Sequence, residues 1–417
     1  MFYTTLKTVL ICSKSLFLYK IGLVDYFNSF KTTLTELSKL NIFYTKIIQW
    51  IADHNFNDEK LTDFLKNFTN NVYYTKEDID YESLIELYNH AEQNGDTFSL
   101  SGLTPINAGT ISLVFKGTLN GKPIVIKMLR RNIKDKLHDA INLFNYIGKI
   151  ITFIPYLEKI GVSRIIEKNT NLLIKQIDFN NEINNMNIFT KKYKKNNTIK
   201  IPLVYKYYTE KNSNLIVMEY FDGKTMYELE AKERELYYKT LAKIAMMNYF
   251  KYGLIHGDLH SGNIIFLPDN VIGYLDLGII YKLKPEQQNL LYTFFSNFTK
   301  KNYTNLIDEL IDEYNIDTCF IINFSKDKLT STISIIKKEL IQKLENKELL
   351  NGSISQKDIF IIINTLYKHK MEFNDYVSFM FLSSVSCLSM CSKLSNNNMT
   401  ELLTQAFNEF DSQLKFD

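Results

Sequence analysis

All six prolines of this 417-residue chain lie between positions 105 and 285, at Pro105, Pro123, Pro155, Pro202, Pro268 and Pro285, so the first 104 and last 132 residues have none. Proline removes a backbone donor and clashes with the preceding helical turn, so helices run undisturbed where it is missing. Glycine follows the same division, since Gly352 is the only one after Gly278. Apolar residues spaced three and four apart over residues 290–349 add helical periodicity. Both flanks are therefore predicted to be mostly helical, with sheet confined to the middle.

Residues 111–117 and 123–129 are β-rich and flank Leu119-Asn120-Gly121, where Asn-Gly suits the positive φ angles of a tight turn; they predict a hairpin. A third strand, residues 215–219, follows a polar turn at residues 211–214. Residues 264–266 and 271–275, separated by Pro268-Asp-Asn270, read as a second hairpin. The lysine- and asparagine-rich residues 191–200 read as a loop. The expectation is an α+β chain in three parts: a helical extension (1–98), a sheet-bearing part with a helical insert (99–222), and a mostly helical part (223–417).

Composition narrows the function classes. A chain 45% hydrophobic and 14% aromatic has ample material for a core and is not a disordered one. With 49 basic against 46 acidic residues, the net charge of +3 creates no large field, and no nucleic-acid partner is expected. Only four of the basic residues are arginine, at 130, 131, 164 and 234, a bias that suits an AT-rich coding sequence. Cys12, Cys319, Cys387 and Cys391 form no framework. Cys387 and Cys391 are spaced to share a helix face, but no histidine or second close pair completes a zinc site, so buried, reduced thiols in a cytosol-like compartment are expected.

No segment reaches the roughly 18 consecutive apolar residues of a membrane span. The first 23 residues carry Lys7, Lys14 and Lys20, with no acid before Asp25. They suit either an amphipathic helix for targeting or a membrane surface, or a helix packed on the domain. Residues 376–391 are expected to form a core helix.

The strongest local signal is His256-Gly-Asp-Leu-His-Ser-Gly-Asn263, followed thirteen residues later by Asp276-Leu-Gly278. It has the form of a kinase catalytic loop. Phosphoryl transfer needs a carboxylate near the attacking hydroxyl, an amide oxygen on the metal, and a second carboxylate on metal bridging the phosphates. Asp258 would be the base, and Asn263 and Asp276 the Mg²⁺ ligands, because a hard cation prefers oxygen donors. Lys127, in a predicted strand, would reach the phosphates of ATP, and Glu182, in a predicted helix from Asp178 onward, would hold it. Residues 105–112, with Asn107, Ala108, Gly109 and Thr110, would cover the phosphates immediately before the first strand. Glu219 and Tyr220 lie where backbone groups would meet adenine. His256 and His260 are expected to brace the loop, while His54, His90, His138 and His369 lie outside every motif.

Taken together, these motifs resemble the UbiB family of atypical kinases, also called aarF-domain kinases, over roughly residues 40 to 400. Lys46-Ile-Ile-Gln49 is similar to the family's K-x-G-Q motif. Gln176-Ile-Asp178 before Glu182 is similar to its E-x-D motif, with Asn184 and Phe189 in family-like positions. Asn107-Ala-Gly-Thr110 resembles its alanine-rich nucleotide loop, and the stretch between Lys127 and Glu182 has the length of the family insert. The resemblance implies a two-lobed kinase-like fold using ATP and Mg²⁺, with Lys46, Gln49, Gln176 and Asp178 in a regulatory extension that covers the place of a peptide substrate. It also implies a small or isoprenoid-lipid-linked acceptor and a link to ubiquinone metabolism. Ile48, Gln176 and Gly109 depart from the family pattern, and Gly109 makes the nucleotide loop more permissive. An aminoglycoside- or choline-kinase-like phosphotransferase and a nucleotide-switched binding module for lipid or a protein partner are the competing readings.

Overall fold

The computed structural model describes residues 2–41, 44, 45, 48, 64, 72–139, 141, 142, 174–312, 314–318, 325–350, 356–395 and 399–414. They form two compact units. One takes in the described residues of Met1–Phe153, Ser163–Ile183 and Pro202–Tyr220, the other those of Asn184–Ile201 and Phe221–Asp417.

The first unit opens with helices α1 (Phe2–Lys20), α2 (Tyr26–Leu40) and α3 (Tyr81–Gln93), followed by strands β1 (Phe98–Leu100), β2 (Asn107–Ala108), β3 (Ser112–Leu119) and β4 (Lys122–Leu129). Helix α4 (Phe179–Lys192) begins in this unit and continues into the second, which also takes β5 (Ile199–Lys200). The chain returns with α5 (Lys206–Lys211) and β6 (Leu215–Glu219). The sheet is antiparallel in the order β1-β3-β4-β6, with β2 also paired to β3.

Asp80 starts α3 by accepting from the Ser83 backbone N–H at 3.2 Å. Leu84, Leu87 and Ala91 then recur on one helix face and pack in a buried cluster with Leu113, Phe115, Ile124 and Val217. Strand β3 alternates between buried and half-buried positions, whereas central β4 is buried continuously from Ile124 to Leu129. Ile124, Ile126 and Met128 belong to the cluster with α3, so Val125, Lys127 and Leu129 point to the opposite face. The predicted hairpin forms, with Asn120 and Gly121 at φ 52° and 72°. Asn120 Oδ1 accepts from Thr97 N–H at 2.8 Å and ties the turn to the start of β1.

Two details differ from the sequence expectation. β1 pairs Phe98 with Leu119, and Asn107 and Ala108 pair with Val114 and Leu113, so residues 105–112 do not precede the first strand and partly join the sheet. These strands are too short to carry a period of their own, and β3 supplies the partner that defines them.

In the second unit, α6 (Ala231–Met246) runs into a π-helical turn, Met247–Tyr252, closed by Gly253 at φ 62°. Strands β7 (Leu254–His256), β8 (Ile264–Leu267), β9 (Val271–Tyr274) and β10 (Ile280–Lys282) follow. β8 and β9 form the second predicted hairpin, turning at Asp269 and Asn270 with φ 59° and 61°. β7 pairs with β10, and β5 joins β9 in parallel. Residues 191–200 are thus only partly loop: α4 extends through Lys192, where lysines suit a helix C-terminus, and β9 makes a strand of Ile199–Lys200.

The chain continues through α7 (Pro285–Thr299), α8 (Tyr303–Leu310), β11 (Ile316–Thr318), α9 (Lys326–Glu345), α10 (Gln356–Lys368), β12 (Met371–Phe373), α11 (Asp375–Leu394) and α12 (Met399–Leu414). The β11–β12 ribbon interrupts the otherwise helical C-terminal flank. Phe250 sits edge-on to Phe295 and Phe407, with ring centroids 5.5 Å apart in each pair, and anchors an aromatic core. Cys387 and Cys391 are buried as free thiols in α11, the expected core helix. Cys12 is exposed on α1, contrary to the expectation of burial, and Cys319 lies outside the described residues.

Leu87 is buried and Ile85 is 60% exposed on the same helix. Leu87→Ala should therefore destabilise the sheet-bearing unit by about 2–5 kcal/mol, and Ile85→Ala by under about 0.5 kcal/mol, when urea unfolding of the two variants is compared.

Candidate active site

The first unit supplies a buried lysine–carboxylate pair. β4 places Lys127 on the sheet face away from α3, paired in register with Val114 on β3 and Ile216 on β6. Asp178 Oδ1 accepts the Asn180 backbone N–H at 3.0 Å beside the start of α4, and Glu182 follows in the first turn. Lys127 Nζ donates to Glu182 Oε1 at 2.6 Å and to Oε2 at 2.8 Å, and both residues are buried. The ammonium also lies 5.7 Å from the centre of the Phe179 ring. Charges taken this far from water persist only when matched and hydrogen-bonded, and the two carboxylate contacts hold the Lys127 side chain in one direction.

The segment around Gly109 is held from below. Gly109 N–H donates to Ser112 O at 2.9 Å, and the Gly109 carbonyl accepts from Arg130 Nε at 3.0 Å and Nη2 at 2.7 Å. Arg130 Nη1 also donates to Tyr73 O at 3.0 Å and Asp78 Oδ2 at 3.2 Å. Burial alone would raise the Asp78 pKa, but Lys136, the Thr75 N–H and Arg130 outweigh it and hold this carboxyl below its ordinary value. Arg130 and Asp78 escaped the sequence reading, and Arg130's only flag was the rarity of arginine in the chain. A methyl group on Gly109 would meet Ser112 O at 3.3 Å, a tight fit that a small shift relieves.

Glu219 and Tyr220 end β6 with their backbone N–H groups already engaged, by Leu203 O at 2.9 Å and Pro123 O at 3.4 Å. Lys116 Nζ lies 3.9 Å from the centre of the Tyr220 ring. Gln176 and Asp178 lie just ahead of α4, whereas Lys46 and Gln49 are outside the described residues.

The second unit carries the catalytic-loop motif between β7 and β8, with Asp276 just past the end of β9. His256 Nε2 faces the Asp276 carbonyl at 2.8 Å, so that nitrogen carries the proton and donates. Nδ1 accepts the Asp258 N–H at 3.2 Å, which requires the neutral ring. Burial pushes the His256 pKa below the ordinary value, despite the opposing carbonyl and carboxylates. Ser383 on α11 donates to the His256 carbonyl at 2.6 Å. His260 Nδ1 accepts from Gly262 N–H at 3.1 Å, so both histidines brace the loop as expected.

Asn263 Nδ2 donates to Asp258 O at 2.8 Å, which leaves Oδ1 as the amide's ligand-type atom. Leu275 N–H donates to Asn263 O at 2.8 Å, bringing Asn263 and Asp276 to the same end of the β8–β9 hairpin. Asp276 Oδ1 accepts from Gly278 N–H at 2.9 Å, and the Leu277 carbonyl accepts from the buried Asn185 Nδ2 at 2.8 Å. It is Asn185, not the exposed Asn184, that reaches this turn. Counting from Glu182 in helical steps could have found it, since three residues return to nearly the same face. Asp258, Asn263 and Asp276 remain half-buried. An amide oxygen and a carboxylate suit Mg²⁺, whose remaining positions phosphate and water commonly fill. Among the described residues no group of three or more His, Cys, Asp or Glu is arranged to hold a metal.

Residues 51–310 match the family model of the ABC1 atypical kinase-like domain. The chain belongs to this family. Lys127, Glu182, Asp258, Asn263 and Asp276 all fall inside the matched range, while Lys46 and Gln49 precede it. A chloroplastic aarF domain-containing protein kinase of Arabidopsis thaliana, itself uncharacterised, is 26% identical over 220 residues, 50% of this chain and 40% of that one. A probable protein kinase UbiB of Blochmanniella pennsylvanica is 28% identical over 221 residues, 50% of this chain and 40% of that one. These matches span two fifths of the relatives' own lengths. A solved complex of Rv3197 with erythromycin from Mycobacterium tuberculosis covers 76% of this chain and 84% of its own, at 16% identity and a TM-score of 0.45. The family assignment makes the domain kinase-like, with mixed helix and sheet. No helix among the described residues is long and apolar enough to cross a membrane.

Two measurements test the geometry of the second unit. Because folding keeps His256 neutral, its contribution to stability is present above the unfolded-state pKa of about 6.5 and is lost as pH falls from there through the lower folded-state value. NMR titration should find the His256 ring taking up its proton at a lower pH than a free imidazole does, and urea unfolding should show stability declining as pH falls below about 6.5. Asn185→Ala should cost about 1–3 kcal/mol by stripping a buried carbonyl of its donor, while Asn184→Ala should leave stability nearly unchanged.

Proposed function

We propose that this protein is an ATP- and Mg²⁺-dependent phosphotransferase or ATPase whose acceptor is a small or lipid-linked molecule. The observation that carries the reading is the buried Lys127–Glu182 pair, with both carboxylate oxygens within 2.8 Å of one ammonium. A structural lysine is cheaper to replace by an apolar side chain than to bury. Its fixed charge suits the α- and β-phosphates of a nucleotide, and the backbone of residues 107–110 suits the phosphate oxygens beyond them.

Asp258 has the chemistry to accept the acceptor hydroxyl's proton, and the carbonyl–amide bond from Asn263 holds its backbone in place. Asn263 and Asp276 would hold Mg²⁺, which would supply positive charge to offset the negative charge developing on a transferred phosphoryl group. His256 and Asn185 keep the Asp276 turn in shape without entering the chemistry.

A non-protein acceptor is supported by the stretch after Gly278. Ile280 pairs at once with His256 on β7, and Pro285 already begins α7. In protein kinases the segment beyond the metal-binding aspartate carries the regulatory phosphosite, and residues 279–284 leave no length for such a segment. The kinase names of the relatives agree with phosphoryl transfer, and their being chloroplastic in part agrees with an organelle setting.

The test is ATP binding and hydrolysis by the purified protein with and without Mg²⁺, beside Asp276→Asn. Metal-dependent turnover should fall about 100-fold or more in the variant. Binding without turnover under every condition would replace this reading with a nucleotide-switched module. Gly109→Ala, which crowds the Ser112 carbonyl at 3.3 Å, should alter nucleotide affinity or turnover, and unchanged values in both would remove the loop from the mechanism.

A further inference from the structure

Helix α1 is built inside out for a helix in water. Its half-buried face is Thr4, Thr8, Ile11, Ser15 and Leu18, largely hydroxyl-bearing. Thr8 Oγ1 lies 2.7 Å from the Tyr44 hydroxyl, and Ser15 O accepts from Ser29 Oγ on α2 at 3.0 Å. The apolar residues face outward. Leu6, Val9, Leu10, Leu16 and Phe17, with Leu23 in the turn that follows, are between 47% and 71% exposed. At 100° per residue the five helical ones fall in an arc of about 120° opposite the hydroxyl face. Single exposed leucines are ordinary, but an apolar arc interrupted by Ser13 alone before Lys20 ends it marks an interaction surface.

On neighbouring α2 Tyr26, in its first turn, is the large apolar side chain left exposed among the described residues. The same helix turns Asn28, Lys31, Thr32, Glu36 and Lys39 to solvent in the usual way. Charge identifies the occupant. Lys7, Lys14 and Lys20 are exposed on α1, and no acidic residue occurs before Asp25. Lys7 and Lys14 lie along one border of the apolar arc, and Lys20 sits at its C-terminal end, where their long stems let the ammonium groups rise away from the apolar surface. A second copy of this face would set lysines against lysines.

From this arrangement we infer that α1 lies flat on an anionic lipid bilayer, with Leu10 and Phe17 entering the boundary between headgroups and acyl chains and the lysines contacting lipid phosphates. With three lysines the helix is not apolar enough to cross, in keeping with the lack of any spanning helix among the described residues. The inference is independent of phosphoryl transfer and concerns where the protein is held.

The experiment is co-sedimentation of the full chain with phosphatidylcholine vesicles, with and without phosphatidylglycerol. The wild type should sediment with the phosphatidylglycerol vesicles, less with phosphatidylcholine alone, and less at high salt. The double variant Leu10→Asp/Phe17→Asp should bind about tenfold or more weakly, with ATP binding and thermal stability unchanged. The triple variant Lys7→Gln/Lys14→Gln/Lys20→Gln should lose the preference for phosphatidylglycerol, and it tests the surface even if the aspartates unravel the helix. Lys31→Gln/Lys39→Gln on α2 should behave as wild type. Undiminished binding by both α1 variants, or wild type that ignores both vesicles, would overturn the proposal. So would a dimer in sedimentation equilibrium that Leu10→Asp/Phe17→Asp dissolves, because the face would then belong to a second copy.

Discussion

Lys127 and Glu182 are buried 55 residues apart in sequence, and neither charge would be tolerated there without the other. That constraint propagates outward. The lysine needs a strand buried on both faces, which β4 provides by lying between β3 and β6. The carboxylate needs a helix that begins just before it, and Asp178 bonds the first turn. Once Glu182 faces inward, the helical period turns Asn185, Met186 and Phe189 inward as well, and all three are buried. A slip of one residue along α4 would expose the carboxylate and withdraw Asn185 from the Leu277 carbonyl.

The second unit handles its chemistry differently. Asp258, Asn263 and Asp276 stay partly open to solvent, and their precision comes from backbone groups gripped by neighbours. A neutral imidazole reads a carbonyl with one nitrogen and an amide with the other, so His256 spans the Asp258 loop and the Asp276 turn at once. Ser383 holds the same histidine's carbonyl from α11, linking the loop to a helix more than a hundred residues away. Such a scaffold pre-pays the ordering of groups that would otherwise have to be arranged in each encounter with substrate.

What could be read from the sequence was mostly local. Asn120-Gly121 carries its turn preference in two residues, and the hairpin forms there; residues 256–263 and the Asp276 turn are likewise short motifs, and the structure brings them side by side. β1, β5, β7, β10, β11 and β12 were missed because each is only two or three residues long and exists through a partner well separated in sequence, and β2 because its two residues are defined by adjacent β3. Arg130 and Asp78 were missed for the same reason, since a buried fork is visible only once its acceptors have been gathered. Asn185 shows a different limit: its inward phase on α4 is fixed only once Glu182 is placed, and packing decides it. Hydroxyl residues on the inner side of α1 were legible as letters, but their orientation was not.

Arg130 also says something about drift. In a chain whose coding bias has left lysine at almost every basic position, a substitution to lysine is the change most readily offered by mutation. Lysine's single ammonium cannot reproduce a planar fork that serves the carbonyls of Gly109 and Tyr73 and the carboxylate of Asp78 together. At position 130, then, charge alone does not suffice and shape is required. A surviving buried arginine is then a marker of geometric demand that one sequence can display by itself.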